Sequence, residues 1–111
     1  MASPEVKEVL RKAADILAAG GWTKGAFYIG PRGRREFCLF GAIYEAGGWD
    51  PLAETNETMP PVVRQADDHI CRYLGRKLGV KDTYVGWNAA QETKWPVLRA
   101  LLAAADWDAP S

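Results

Sequence analysis

The sequence contains few of the side chains from which metal and redox sites are built. Only two cysteines, Cys38 and Cys71, and one histidine, His69, occur among 111 residues. No Cys-x-x-Cys pair is present, so the sequence lacks the ligand number and spacing that are typical of a zinc site. We expect the two thiols to stay unpaired, because both lie in apolar, helix-like contexts and no secretory signal precedes them. The sequence therefore predicts no metal site and no cofactor.

The chain also lacks a net charge and a long apolar run. Its 14 Lys and Arg residues balance 14 Asp and Glu residues, which argues against a general affinity for polyanions. No apolar run approaches the roughly 18 residues that a membrane-spanning helix needs. Residues 1–5 lead directly into a helical pattern and do not resemble a targeting peptide. We therefore expect a cytoplasmic protein without a membrane partner.

The apolar content is sufficient for one hydrophobic core. Hydrophobic residues make up 48% of the chain, which is ordinary for a globular protein and too high for a disordered one. A chain of this length forms one domain and buries roughly two-thirds of its unfolded surface. We therefore expect residues 1–111 to form a single compact domain.

Apolar positions at helical spacing predict four helices. Their approximate bounds are residues 4–19, 38–46, 61–78 and 94–105. Ser3 and Pro4 favour the start of the first helix, as an N-cap acceptor and a proline in the first turn. The second helix carries Glu45 as its only charge, which is typical of a buried helix. Thr93 is predicted to cap the fourth helix.

The remaining segments predict turns and a small amount of sheet. Aromatic residues on both sides of a Gly/Pro turn predict a β-hairpin over residues 26–37. Residues 47–60 form a long loop, which in a small domain is often functional. Residues 83–85 are predicted to be extended and residues 86–88 to turn the chain. The predicted fold is mainly α, with four helices and a small β-hairpin between helices 1 and 2.

Four short motifs carry a resemblance to a known family. They are Gly21-Trp22, Cys38 with Gly41-Ala42, Trp87-Asn88 and Thr93. In these positions the chain resembles an uncharacterised family of small proteins from actinobacteria and their phages. That family often has an aspartate after Trp-Asn, where this chain has Ala89. The resemblance implies a source and a compartment, which is the host cytoplasm in the case of a phage protein. Because the family is a domain of unknown function, the resemblance implies no activity.

The first candidate site consists of Cys38, His69 and Asn88. A helix N-terminus favours the thiolate form of a cysteine, and a nearby histidine can deprotonate the thiol. Asn88 would then orient the imidazole ring, which gives the arrangement of a cysteine hydrolase or transferase. The same Cys38 also fits a packed core, because Leu39 and Phe40 follow it and free cysteine is often buried.

The second candidate site is basic. Its residues are Arg32, Arg34 and Arg35 at the hairpin tip and Arg72, Arg76 and Lys77 near the end of the third helix. Together they would contact the phosphates of a nucleic acid. The alternative is a solvated turn and a helix end whose basic residues favour the helix dipole.

The third candidate site is the long loop. Its candidate partner-binding residues are Trp49, Asp50, Leu52, Glu54 and Glu57. An aromatic anchor surrounded by polar residues is typical of a protein-binding surface. Equally, Trp49 could turn inward while the acidic residues keep the loop soluble.

These candidates leave three functional hypotheses open. The leading one is a non-enzymatic protein-interaction module that uses the acidic loop. If the protein is phage-encoded, this module would act on a host protein. The second is a nucleic-acid-binding module that uses the arginine-rich hairpin, and the third is a Cys/His-dependent hydrolase or transferase. Self-association through an exposed Trp95 or Trp107 is a further expectation.

Overall fold

The computed structural model describes residues 3–81 and 84–108, in which α-helices form one core and a small sheet packs beside the first two of them. The α-helices are α1 (Pro4–Ala19), α2 (Leu39–Ala46), α3 (Pro61–Lys77), α4 (Tyr84–Ala90) and α5 (Trp95–Asp106). The strands are β1 (Gly21–Trp22), β2 (Tyr28–Ile29) and β3 (Glu36–Phe37), and a 3₁₀ helix spans Asn56–Thr58. The mainly helical class is confirmed, whereas the predicted number of four helices is wrong. No helix within the described ranges is both long enough and apolar enough to cross a membrane.

Helix α1 begins as its sequence predicts and ends with help from a distant lysine. The Ser3 hydroxyl accepts a hydrogen bond from the Val6 amide at 3.2 Å. At the other end, the Lys94 ammonium donates to the carbonyl of Ala18 at 3.3 Å and to that of Gly20 at 2.8 Å. The last carbonyls of a helix have no partner within it, so Lys94 caps α1 from the segment before α5.

Helix α2 lies at the centre of the core. Every residue from Leu39 to Tyr44 is buried, as expected for a helix with almost no polar face. Gly41 lets the backbone of Phe27 lie directly on this helix, because a Cβ atom at residue 41 would overlap the Phe27 carbonyl. The Cys38 amide donates to that same carbonyl at 3.1 Å. The start of α2 is thereby fixed to the segment that precedes β2.

The sheet contains the predicted hairpin and one additional strand. Strands β2 and β3 are antiparallel, and Gly30 and Gly33 in the turn between them have positive φ angles of 95° and 91°. Glycine adopts that conformation without a steric penalty. Strand β1 pairs in parallel with β3, so the strand order is β1-β3-β2. This parallel pair places Trp22 beside the start of α2.

The predictions for residues 83–94 need correction. Residues 84–90 form helix α4, where an extended segment and a turn were predicted; Thr83 lies outside the described residues. Helix α5 begins at Trp95 with Lys94 in the N-cap position, and no side chain caps it. Thr93 is therefore not the cap. Helix α4 is held by tertiary contacts of Asn88 and Trp87 with the core, which local sequence does not reveal.

Candidate functional site

Cys38 has the position predicted for a nucleophile but not the predicted electrostatics. It is the N-cap residue of α2, and its Sγ accepts a hydrogen bond from the Gly41 amide at 3.3 Å. Only 5% of the residue is exposed. Burial raises the pKa of the Cys38 thiol, and the hydrogen bonds from backbone amides offset only part of that rise. The expectation of a favoured thiolate is therefore wrong, because desolvation exceeds the effect of the helix terminus.

His69 is buried against the last helix. Its Nε2–H donates to the carbonyl of Ala104 at 2.8 Å, and its ring centroid lies 5.4 Å from that of Trp107. The ring of Trp107 also packs against Tyr73 at 5.7 Å. His69 therefore joins α3 to the end of α5, and Trp107 covers this contact and is only partly exposed.

Asn88 is a structural joint and does not orient His69. Its Oδ1 atom accepts from the Trp22 indole N–H at 2.9 Å and from the Leu39 amide at 3.2 Å. Its Nδ2 atom lies 3.4 Å from the Thr23 carbonyl. In the part of the chain that the structure describes, no hydrogen bond links Cys38, His69 and Asn88. The three residues of the predicted catalytic set thus have separate structural roles.

Both thiols should react slowly with iodoacetamide in the native protein. Burial and the neighbouring Asp67 raise the pKa of Cys71 to about 12, and Cys38 is buried. Because the thiolate is the reacting form, we expect alkylation at pH 8 to be at least about tenfold slower than that of glutathione. A Cys71→Ser variant isolates Cys38, and unfolding in guanidinium should restore ordinary rates. Alkylation of native Cys38 faster than glutathione would restore the catalytic hypothesis.

Trp49 is not an exposed anchor. Only 6% of it is exposed, and its indole N–H donates to the Thr55 carbonyl and to Thr58 Oγ1, each at 3.2 Å. Its ring packs against Tyr44 with centroids 5.1 Å apart. The predicted role of Trp49 as an exposed partner contact is therefore wrong, since the ring closes the long loop onto α2.

The other loop candidates remain accessible to different degrees. Leu52, Glu54 and Glu57 are exposed, whereas Asp50 is half-buried. The Asp50 carboxylate accepts from the Leu52 amide at 3.0 Å and from the Tyr28 hydroxyl at 3.0 Å. The hydrogen bond from Leu52, together with Tyr28 and the charge of Arg35, lowers the pKa of Asp50. Asp50 therefore joins the acidic loop to the hairpin as a stable carboxylate.

The hairpin and the acidic loop form the two sides of a cleft of about 650 Å³. Its apolar lining comes from Ile16 and Ala19 of α1, Phe37 of β3 and Trp49. Its charged lining consists of Arg32 and Arg35 on the hairpin and Glu45, Asp50 and Glu54 on α2 and the loop. Two candidate sites that are separate in the sequence thus share one concave surface, which we call the mixed-charge cleft.

Arg35 is the more enclosed of the two arginines that line the mixed-charge cleft. Its guanidinium lies over the Tyr28 ring, 4.1 Å from the centroid. Its Nη1 atom is 4.0 Å from Glu45 Oε2, and only 18% of its side chain is exposed. Its Nε atom is buried without a hydrogen-bond partner. The sequence placed Arg35 at the hairpin tip, as a phosphate contact or as part of a solvated turn, and did not reveal this enclosed position over Tyr28.

The remaining basic candidates lie elsewhere. Arg34 is exposed at the hairpin tip, and Arg72 on α3 pairs with Asp68 at 3.1 Å. Arg76 and Lys77 occupy the last turn of α3, where positive charge interacts favourably with the helix dipole. The residues of α3 do not line the mixed-charge cleft. Within residues 3–81 and 84–108, no group of three or more His, Cys, Asp or Glu side chains is placed to hold a metal ion.

These features define a small, mainly helical domain with a charged cleft beside a three-stranded sheet. The chain belongs to the family of unknown function DUF6197, which it matches over residues 1–106. The prediction that the chain belongs to a family of unknown function is thereby confirmed. No curated protein and no solved structure matches the chain.

Proposed function

We propose that this protein is a non-enzymatic protein-interaction domain that receives a segment of its partner in the mixed-charge cleft. The observation that carries the proposal is the juxtaposition of two arginines and three carboxylates around an apolar floor. Protein-binding surfaces commonly combine an apolar centre with a polar rim. In this proposal Trp49 contributes to the floor, and the exposed Glu54 contributes to the rim.

The charges of the cleft favour a protein over a nucleic acid. A phosphate backbone near Arg32 and Arg35 would also approach the carboxylates of Glu45, Asp50 and Glu54. Repulsion from these groups opposes the favourable contact on which nucleic-acid binding depends. The nucleic-acid-binding hypothesis was based mainly on the hairpin arginines, and this repulsion argues against most of that surface as a phosphate contact.

The proposed setting is the cytoplasm. The motif resemblance to proteins of actinobacteria and their phages supports this setting, since Gly21-Trp22, Cys38 with Gly41-Ala42 and Trp87-Asn88 are present. In a phage-encoded form, the partner would be a protein of the host.

Reversing one charge of the cleft should remove partner capture. Arg32 is exposed and lines the cleft, and it has no ion pair within the described residues, so Arg32→Glu should leave the fold intact. We expect photo-crosslinking in a lysate of the source organism to recover partners with at least about tenfold lower yield than wild type, because like charges at an interface are costly. Quantitative mass spectrometry measures the yield.

Arg99→Glu is the matched control, because Arg99 is exposed on α5 and outside the cleft. Equal capture by wild type, Arg32→Glu and Arg99→Glu would show that the cleft is not the contact surface. Capture that disappears after nuclease treatment would favour the nucleic-acid hypothesis. A lysate from which wild type enriches no protein would contradict the interaction function itself.

A further inference from the structure

Arg35 has a hydrogen-bonding capacity that the protein itself does not use. A guanidinium carries five N–H donors in a planar fork. Within residues 3–81 and 84–108, the Arg35 guanidinium makes no hydrogen bond, and its nearest carboxylate oxygen is 4.0 Å away on Glu45. Most polar groups in such enclosed positions have a partner, and one without a partner calls for a specific explanation. The Nε atom is enclosed, whereas the Nη atoms are not, and Arg35 lines the cleft; this arrangement points to an acceptor that a ligand supplies to the Nη atoms.

The guanidinium is also held in a fixed position. The Tyr28 ring lies beneath it at 4.1 Å, and the Tyr28 hydroxyl donates to Asp50 at 3.0 Å. Cation–π contact with the ring and the hydrogen bond to the loop together restrict the arginine and its platform. A guanidinium that is oriented before binding loses less freedom when it engages an acceptor. Its planar fork matches the two oxygens of a carboxylate.

The surrounding charges select among anions. Arg32 and Arg35 contribute two positive charges to the cleft, and Glu45, Asp50 and Glu54 contribute three negative charges. A doubly charged phosphate would meet repulsion from the acidic side of the cleft. A ligand with one carboxylate and one positive group complements both sides. Glu45 and Glu54 are both exposed, but Glu45 lies 4.0 Å from the Arg35 guanidinium. Glu54 accepts one hydrogen bond, from the Asp50 amide at 2.9 Å, and its other carboxylate oxygen is available for such a positive group.

We propose that Arg35 binds an acidic side chain of the partner segment, and that a basic side chain close to it in sequence contacts Glu54. The inference rests on the proposed function and names the chemistry of the partner: an Asp or Glu near a Lys or Arg. In an extended segment, residues two positions apart point to the same face. A Glu-x-Lys segment therefore presents both charges to the cleft.

The test uses the intact protein and synthetic peptides with acetylated N-termini and amidated C-termini. The probes are Ala-Glu-Ala-Lys-Ala, the uncharged Ala-Gln-Ala-Gln-Ala, and two versions that carry only Glu or only Lys. The readout is the Nε–Hε resonance of Arg35 in a ¹⁵N correlation spectrum. We expect this resonance to shift progressively as the Glu-x-Lys peptide is added. The protein should bind the Glu-x-Lys peptide at least about tenfold more tightly than the Gln peptide.

Variants distinguish the contribution of the guanidinium's fork geometry from that of its positive charge. Arg35→Lys keeps the charge and lacks the fork, so we expect it to lower the affinity for the Glu-x-Lys peptide by about tenfold. Arg99→Lys is the matched control and should bind as wild type does. Should Arg35→Lys fail to fold, the wild-type titration decides alone. An Arg35 resonance that is insensitive to all four peptides, moves equally with the Gln peptide, or responds more strongly to inorganic phosphate overturns the inference.

The peptide experiment and the lysate experiment fail in different ways. If the peptides bind regardless of their charge while Arg32→Glu still loses partner capture, the carboxylate contact at Arg35 is rejected. The proposed function is retained in that case. A lysate without any enriched protein rejects the proposed function, and with it the assignment of a partner segment.

Discussion

Replacing Gly41 with alanine is expected to destabilise the domain by about 3 kcal/mol or more, the upper end of the range for overpacked cores. The added methyl group would overlap the carbonyl group of Phe27. That carbonyl also accepts from the Cys38 amide, so relief of the overlap requires backbone movement at the start of α2. Urea denaturation followed by circular dichroism measures the loss in the free energy of unfolding.

Gly25→Ala is the matched control for this prediction. No heavy atom lies within 4 Å of a Cβ built at Gly25, and its φ angle is not positive. We expect the control to change the free energy of unfolding by no more than about 0.5 kcal/mol. A Gly41→Ala protein that unfolds at the same urea concentration as the control would show that Phe27 can move away at little cost.

Replacing Asn88 with alanine is expected to cost about 2–4 kcal/mol, because it leaves two enclosed donors without an acceptor. These donors are the Trp22 indole N–H and the Leu39 amide. Asn88 itself is only 1% exposed, so water does not readily replace its amide oxygen. Urea denaturation again gives the loss, and indole fluorescence offers a second measure of the altered environment of Trp22.

Asn56→Ala provides the comparison, since Asn56 is exposed in the 3₁₀ helix and its side chain makes no hydrogen bond among the described residues. Its expected change is within about 0.5 kcal/mol. Equal stability of the Asn88 and Asn56 variants would mean that the joint around Asn88 contributes nothing to the fold.

Regular patterning explains which elements the sequence predicts well. Helices α1 and α3 have long apolar stripes at helical spacing, and α2 lacks a polar face, so their positions follow from periodicity. Helix α4 has seven residues that include β-branched and aromatic side chains and Gly86. Such a segment is a poor helix former by propensity. It is helical because Asn88 and Trp87 pack on the core, a tertiary effect that no local pattern expresses.

The parallel pairing of β1 with β3 illustrates a second limit. Strand β1 consists of Gly21 and Trp22 alone, and two residues cannot display an alternating pattern. The hydrogen bond between Trp22 and Asn88, which joins positions 66 residues apart, also holds β1 against α4. The motifs Gly-Trp, Cys-x-x-Gly-Ala and Trp-Asn thus meet in one place, although the sequence presents them separately.

The candidate site was visible in the sequence only as two unrelated halves. The arginines of the hairpin and the acids of the loop are both apparent from composition, but their shared cleft depends on the hydrogen bond of Tyr28 to Asp50. Trp49 was misplaced for a similar reason. A tryptophan in a polar loop is compatible with either an exposed or an enclosed ring, and its acceptors at Thr55 and Thr58 decide between them.

The packing of α1 on α5 affects how this domain emerges from the ribosome. Helix α1 makes its most extensive contacts with α5, and almost every other element is synthesised between the two. The apolar face of α1, which includes Leu10 and Leu17, therefore lacks its main packing partner until the intervening elements and α5 have been synthesised. Exposed apolar segments of nascent chains are the ones that chaperones bind and that aggregate when unprotected. This domain can therefore complete its fold only after α5 has been synthesised, and the yield of native protein depends on how well α1 is protected until then.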